Sequence, residues 1–511
     1  MQHSISYQAT NQFSKLILDY INEDSKLAPF INYFPKIENF EKQIKEKQQH
    51  TIDRGLLVKI LEEQNKSLNL SELSKKNLNL LKSENTFSVT TGHQLCLFTG
   101  PLYFMYKIVS TINLCEKLSS KYSSYNFVPI FWMASEDHDF TEINHIHLFD
   151  NKIKWDTKQK GAVGQMTLEG LKALMKELRS LLGSKKHAEK LMSIFEKAYL
   201  NHTNLADATR YLINEFFGDY GLVIIDGNDK RLKQKFLPQI KKDILENGFF
   251  NTINKCSQSI GEHYKIQAFV RQVNFFKLCE GERKLLDSPI TKSEIYSYPE
   301  EFSPNVLLRP LYQEIVLPNV SYVGGASEIA YWMQLRTAFK QEKIPFPILV
   351  LRNSALLLRK KRRDNFVSLG FQIDDLFLSE DVLNKRYLKT HSELDFTLSK
   401  ERNALSLLYQ KLALKDTDLG FQRSVEAQLQ RQLNFMDKMQ EKLFRNEKKR
   451  KEVAINQIKK IKKHLFPNFG LQERSDSFIS FYLQDGENFI KILKDNFDPL
   501  SRNFVVLTLR N

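Results

Sequence analysis

Residues 128–133 read VPIFWM, six apolar positions in a row with no polar alternation. A strand of that kind is buried on both faces, as the central strands of parallel sheets are. It commits the chain to layers, with helices covering both sides of a sheet. Residues 87–91 (FSVTT), 222–225 (LVII), 315–323 and 346–351 read as further strands. Residues 102–118, 204–217, 230–246 and 327–341 read as helices beside or between them, and Pro101 suits a first helical position. The alternation predicts an α/β fold with an open parallel sheet.

Composition supports a large core. Of 511 residues 42% are hydrophobic and 37 are Phe, which excludes a disordered chain. The four cysteines include no CxxC pair, which argues against a disulfide scaffold or a zinc ribbon. No run of about 18 apolar residues occurs, so a cytoplasmic protein without a membrane span is expected.

Strand spacing sets the domain plan. The long stretches between strands predict insertions at about 150–203 and 248–305. The second carries a strand pair around 267–278 and 283–286, with a turn at 279–282. The first 80 residues read as a polar helical wrap. Residues 1–375 form the expected α/β domain and 376–511 the helical one. Two helical runs, 394–416 and 419–466, dominate the latter. In the second run Val425, Leu429, Met436, Met439, Leu443, Ala454, Ile458, Ile461 and Leu465 keep mostly to steps of three and four, a coiled-coil seam that Pro467 ends. At 1.5 Å per residue this run spans about 70 Å, too long for one globular layer, so a homodimer through these helices is expected. The tail after residue 470 reads as helical and should return to the core. Residues 442–463 carry ten Lys/Arg and two Glu, read as a solvated face or a phosphate-binding surface. Aromatic residues do not alternate with these charges, so no nucleic-acid partner is expected.

Three segments follow strands and concentrate chemistry. The first is TTGHQLCLFTGPLY, residues 90–103. Free N–H groups at a helix start favour phosphate or carboxylate, and Gly92 and Gly100 permit close backbone approach. Thr91, Gly92, His93, Gln94 and Gly100 are the candidate nucleotide contacts, although neither GxGxxG nor a Walker loop is present. An ordinary strand-to-helix turn is the alternative. Cys96 lies three residues after His93, but nothing in the sequence orients the imidazole for a nucleophilic pair.

The second segment is SEDHDFTEINHIH, residues 135–147. Asp137 and Asp139 can hold a substrate ammonium, with Glu142 and Asn144 beside them, and His138 has the right ordinary pKa for a general base. His145 and His147 could bind Zn²⁺ with a carboxylate, and a structural polar network is also open. No metal is assigned. The third segment, residues 309–336, places Gly324 and Gly325 in another strand-to-helix turn, joining the nucleotide set. Glu328 falls in the first turn of the helix. Tyr331 and Trp332 wall a pocket or fill the core. Arg309 and Glu314 either pair with each other or reach a substrate carboxylate and amine.

TTGHQLCLFTGPLYFMYKIVSTI, VPIFWMASEDHDFTEINHI, FSPNVLLRPLYQEIVLPNVSYVGGASEIAYWMQL and LFPNFGLQER resemble the bacillithiol-biosynthesis cysteine-adding enzymes, the BshC family, from about residue 10 onward. Where Gly-Gln-Gln followed by small residues is usual in that family, this chain has Gly92-His93-Gln94-Leu95-Cys96. Ala326-Ser327 stands for Pro-Gly. The resemblance implies a Rossmann-type core like that of class I aminoacyl-tRNA synthetases, two connecting insertions and a homodimeric C-terminal coiled coil. It further implies a ligase that joins cysteine to glucosaminyl-malate through an amide bond. Amide formation from a free carboxylate is uphill, so ATP with Mg²⁺ is the expected activator. Only Gly92-His93 matches the class I nucleotide motif, and no Lys-Met-Ser-Lys-Ser loop occurs. A metal-dependent hydrolase and a non-catalytic coiled-coil scaffold are the rival readings.

Overall fold

The computed structural model describes every residue except Met1, Asp150, Glu280, Gly281, Asp287, Ser288, 394–397 and Asn511. The middle of the expected turn at 279–282 and the start of the expected run at 394 therefore lie outside the described residues. The chain divides into two compact units. One comprises Gln2–Leu356 and Gly470–Val506, and the other comprises Leu357–Phe469 and the residues from Leu507 on. The expected boundary at 375 falls inside the second unit.

The first unit is built on five parallel strands: β1 (Thr86–His93), β2 (Asn126–Met133), β3 (Val223–Asp226), β4 (Asn319–Gly324) and β5 (Ile348–Leu351). Their spatial order is β3-β2-β1-β4-β5. Successive strands run outward from β1 to β3, and the chain then crosses back to continue from β4 on the other side. Such a reversal opens a crevice at the strands' carboxyl ends, between β1 and β4. The register sets His93 beside Met133, and Met133 beside Asp226.

β2 obeys its composition. Val128, Ile130 and Trp132 enter one core cluster while Phe127 enters the opposite one with Phe87, Val89, Val320 and Val350. Helix α1 (Tyr103–Lys121) lies against β1 and β2 and is buried along most of its length. The polar residues within β1 are paired: Thr91 Oγ1 donates to the Val323 carbonyl at 2.8 Å.

Some elements differ from expectation. Ile315 and Val316 belong to helix α2 (Arg309–Val316), and the strand expected over 315–323 begins at Asn319. Pro310 at the helix start favours the helix, and Pro318 has no N–H for a ladder, so the strand starts after it. The expected helix 327–341 is two, α3 (Ala326–Met333) and Arg336–Gln341. The region expected as the first insertion holds the strand Asn151–Lys154, paired with His145–Leu148, and helices Leu171–Leu182 and Lys186–Leu200. The second insertion forms a small antiparallel sheet of Glu282–Leu285, Phe275–Cys279 and Phe302–Pro304. Asn503–Leu509 is an unexpected strand.

In the second unit α4 (Ser399–Ala413) packs along α5 (Leu419–Arg450). The expected 419–466 run breaks at Lys451, which leaves helical geometry, and resumes as α6 (Glu452–Leu465). Val425, Ala454, Ile458, Ile461 and Leu465 are buried as the seam requires. Met439 and Leu443 are exposed, in company with Leu407, Leu408 and Phe435. No helix among the described residues is long and apolar enough to cross a membrane.

Candidate functional site

The carboxyl ends of β1, β2 and β4 open into a cavity of about 540 Å³ in the first unit. The turns after these strands all contribute to it: Gly92, His93 and Gln94 from the first, Ser135–Asp137 and Glu142 from the second, Ser327, Glu328 and Tyr331 from the third. The three segments, far apart in sequence, thus share one cleft, because parallel strands deliver their carboxyl ends to one edge.

One wall is cationic and deep. Lys107, a lone charge within the apolar stretch FMYKIV of α1, is buried. It pairs with Glu328 of α3 at 2.7 Å and also donates to the Gly92 carbonyl, bridging the β1 and β4 turns. Glu328 also accepts from the Tyr322 hydroxyl at 2.5 Å and from the Gly325 N–H at 2.8 Å. Burial alone would raise the Glu328 pKa, but Lys107 and these donors hold it below the usual value. Burial likewise depresses Lys107. Beside the pair stands Arg309, whose Nη1 donates to Gln313 Oε1 at 3.0 Å; the Tyr331 side chain also interacts with the guanidinium, but its buried Nη2 makes no hydrogen bond of full geometry among the described residues. An orphaned guanidinium nitrogen in a cleft is a seat for a carboxylate or phosphate oxygen.

The opposite wall is acidic. Gln94 Nε2 donates to Asp137 Oδ2 at 2.8 Å and to Glu142 Oε2 at 2.9 Å, tying the first turn to the second. Asp137 Oδ1 accepts the His138 N–H at 2.7 Å. Glu136 meets the buried Lys233 at 2.5 Å, so its charge is compensated. Arg283, from the second insertion, lies 3.9 Å from Asp137. Asp137 and Glu142 remain as acceptors for an ammonium group. Tyr103, Trp132, Met133 and Val306 add apolar surface to the lining.

His93 lines the cleft, and its Nδ1–H donates to the Gln94 carbonyl at 3.0 Å, which leaves Nε2 as the bare nitrogen. Burial, helped by the Lys107 charge, pulls its pKa down to about 3, so the ring is neutral. Cys96 Sγ lies 3.8 Å from that Nδ1, but burial pushes its thiol up to about 12, and it is no thiolate nucleophile at neutral pH.

Other expected residues lie elsewhere. His138 does not line the cavity: it is half-exposed and its Nδ1 accepts from Arg283 at 3.0 Å, which occupies the lone pair a base needs. Asp139 caps the short helix Phe140–Ile143. Asn144 is buried, its Oδ1 3.1 Å from His145 Nδ1. Glu314 is fully buried with Lys47 and Asn319, away from the cleft, and does not pair with Arg309. Its burial raises its pKa to about 7, and burial lowers that of Lys47 to about 8. Trp332 stacks on Tyr322, ring centres 4.4 Å apart, as core. Thr91, Gly100, Gly324 and Gly325 are outside the cavity lining. At Gly100 the backbone has φ +66°, and a Cβ would stand 2.7 Å from that of Cys96, so glycine there serves the turn. The start of α1 is also spent: the Leu102 N–H donates to the Asp476 carbonyl at 2.8 Å. His145 and His147 sit on one strand with rings 5.5 Å apart, yet among the described residues no group of three or more His, Cys, Asp or Glu is arranged to hold a metal ion.

Lys107, Arg283 and Lys233 escaped the sequence reading. Lys107 had a signal, a single cation in an apolar helix. Arg283 and Lys233 had none, since only tertiary packing brings them to the second turn.

A five-stranded parallel sheet with a charged cleft at its topological switch point defines a Rossmann-like α/β protein with a polar small-molecule site, joined to a helical hairpin unit. Comparison with known proteins specifies it further. Residues 1–353 match the bacillithiol biosynthesis BshC N-terminal Rossmann-like domain, and residues 355–509 match the BshC C-terminal coiled-coil domain. The chain belongs to the BshC family. It is 42% identical to a protein of Flavobacterium psychrophilum over 98% of both chains, and 42% identical to one of Christiangramia forsetii over 99% of this chain and 98% of that one. A more distant relative from Bacillus cytotoxicus is 26% identical over 93% of this chain and 94% of its own. All three carry the name "Putative cysteine ligase BshC".

Proposed function

We propose that this chain is a cytoplasmic ligase that joins the carboxyl group of cysteine to the amine of glucosaminyl-malate, the last step of bacillithiol biosynthesis. The observation that carries the reading is the pair of oppositely charged walls facing one cavity, with Arg309 Nη2 unsatisfied on one and Asp137 and Glu142 on the other. Cysteine bears one carboxylate and one ammonium, and glucosaminyl-malate two carboxylates and one ammonium, so each can present opposite charges to the two walls. Arg309 anchors a carboxylate. Asp137 and Glu142 hold an ammonium, and Asp137 is the carboxylate able to accept the amine's proton as the amide forms. The apolar part of the lining accommodates the cysteine side chain.

ATP with Mg²⁺ would supply the activation that makes a carboxyl group electrophilic. With Arg309 given to a carboxylate and Lys107 held by Glu328 and the Gly92 carbonyl, the wall offers the anionic part of such a group its charge but no further unpaired donor. The walls orient the two substrates and exclude competing water, which is where positioned groups contribute most.

The test is mass spectrometry of thiols after incubating the protein with cysteine, ATP and glucosaminyl-malate. Bacillithiol should form, and omission of ATP should abolish it. Absence of product with every component present would refute the reading.

The partner is a second copy of the chain, paired through the second unit. The exposed apolar residues Leu407, Leu408, Phe435, Met439 and Leu443 support this, since a monomer would leave them in water. Sedimentation should show a dimer that Met439→Glu with Leu443→Glu converts to monomer.

A further inference from the structure

Gln313 and Glu314 are fully buried neighbours on α2, and neither lines the cleft. Arg309 Nη1 donates to Gln313 Oε1 at 3.0 Å, while Gln313 Nε2 donates to Glu314 Oε1 at 2.9 Å. A guanidinium can only donate, so the amide must turn its oxygen to Arg309 and its Nε2 to Glu314. The same Glu314 oxygen accepts from Asn319 Nδ2 at 2.6 Å, which turns the Asn319 carbonyl oxygen toward Thr90 Oγ1 at 2.8 Å and Ser88 Oγ at 3.3 Å on β1. Lys47, from the N-terminal helix Asn39–Gln48, closes the far side. Its Nζ donates to the Glu314 backbone carbonyl at 2.8 Å and stands 3.7 Å from Oε2.

Burying two opposite charges costs desolvation that apolar side chains of similar size would avoid. The network is therefore an expensive way to fill space. What it achieves is directional: one carboxylate sets the facing of an amide that leads to the cleft and of another that leads to β1. The cleft arm ends on Arg309, fixing one of its two terminal nitrogens and leaving the other unpaired.

We propose that Gln313, oriented by Glu314, is a positioning residue: it fixes the Arg309 guanidinium so that Nη2 stays presented to a carboxylate bound in the cleft. This rests on the reading of Arg309 as a carboxylate anchor. Gln313 touches no substrate and acts only through Arg309, so its effect vanishes when Arg309 is gone.

The test is calorimetric titration of the full chain with L-malate, the dicarboxylate half of the proposed acceptor. The set comprises wild type, Gln313→Met, Arg309→Ala and the double variant, with melting temperatures taken alongside. Gln313→Met should weaken malate binding about tenfold, as for a charge-assisted contact that loses its geometry. Arg309→Ala should weaken it more, and the double variant should bind no worse than Arg309→Ala. Gln313→Asn, whose shorter amide cannot span both partners, should repeat the loss and serves if Gln313→Met fails to fold. Unchanged affinity in the Gln313 variants, additive losses in the double variant, or no malate binding by the wild type would each overturn the proposal. Malate binding with the expected coupling but no bacillithiol formation would leave it standing and sink the ligase reading instead.

Discussion

The two walls of the cleft are built to different standards. The cationic wall stands on regular structure: Lys107 on α1, Arg309 on α2 and Glu328 on α3, each locked by buried partners. The acidic wall is carried by the loop after β2, where Asp137 bonds to the backbone of its own segment and His138 is half-exposed. A group on a packed helix holds its place to a fraction of an ångström, whereas a loop can follow its ligand. The cationic wall is thus the more firmly held of the two.

Four outcomes can break or sharpen that contrast. The largest is structural. Lys107→Met leaves Glu328 without its cation in a buried site and should cost about 3 kcal/mol of stability. Chemical denaturation measures it, and a loss below 1 kcal/mol would show that the wall is less desolvated than it looks. Next, Arg309→Ala should lower kcat/KM about 10²-fold with a smaller loss of stability than Lys107→Met, since what it removes from the protein is the Nη1 bond to Gln313 Oε1. A parallel collapse of stability would recast Arg309 as structural.

The third outcome concerns acid. The folded pKa of His93, about 3, lies below the ordinary 6.5, so between these values the folded state binds fewer protons than the unfolded. Its contribution is complete above pH 6.5 and is lost as pH falls through that window, about 2 kcal/mol by pH 5. Glu314, raised from 4.5 to about 7, runs the opposite way, with stability present below 4.5 and lost as pH rises through 7. The difference between wild type and His93→Gln isolates the histidine: their stability gap should shift by that amount between pH 7 and 5. A constant gap would mean that the ring is already solvated.

The smallest effects belong to the loop wall. Asp137→Asn should raise KM for the amine substrate about tenfold. His138→Ala should change turnover less than about threefold, because the ring bonds Arg283 at the rim. A loss of 10² or more on His138→Ala would restore that residue as the general base.

What the sequence disclosed follows the range of the interaction. β2 was legible because both of its faces are buried, which composition reports directly. The convergence of three turns was legible because it follows from parallel strands alone. Ile315 and Val316 were misread as strand because β-branched residues suit both states, and the prolines at 310 and 318 decide between them. The bond His138 makes was not legible, because Arg283 reaches it from 145 positions away. Along the seam Val425 and Ile458 are buried within the single chain, while Met439 and Leu443 stay exposed in it. The buried Lys47–Glu314 pair left no local trace, since each charge alone looks like surface.

The first unit is completed by residues that arrive last. Glu473 pairs with buried Arg352 at 2.7 Å and accepts the Ala355 N–H at 3.0 Å, and the Asp476 carbonyl closes the start of α1. During synthesis the ribosome must therefore deliver the whole helical unit before the sheet's cleft edge can be finished. Until then the nascent sheet carries an Arg352 without its carboxylate and an open helix end, exposed for the time needed to translate more than a hundred residues, about 5–20 s at ordinary elongation rates. The cleft edge thus depends on residues translated after the helical unit, and a chain cut before residue 470 retains the strands but lacks the strap that sets their upper edge.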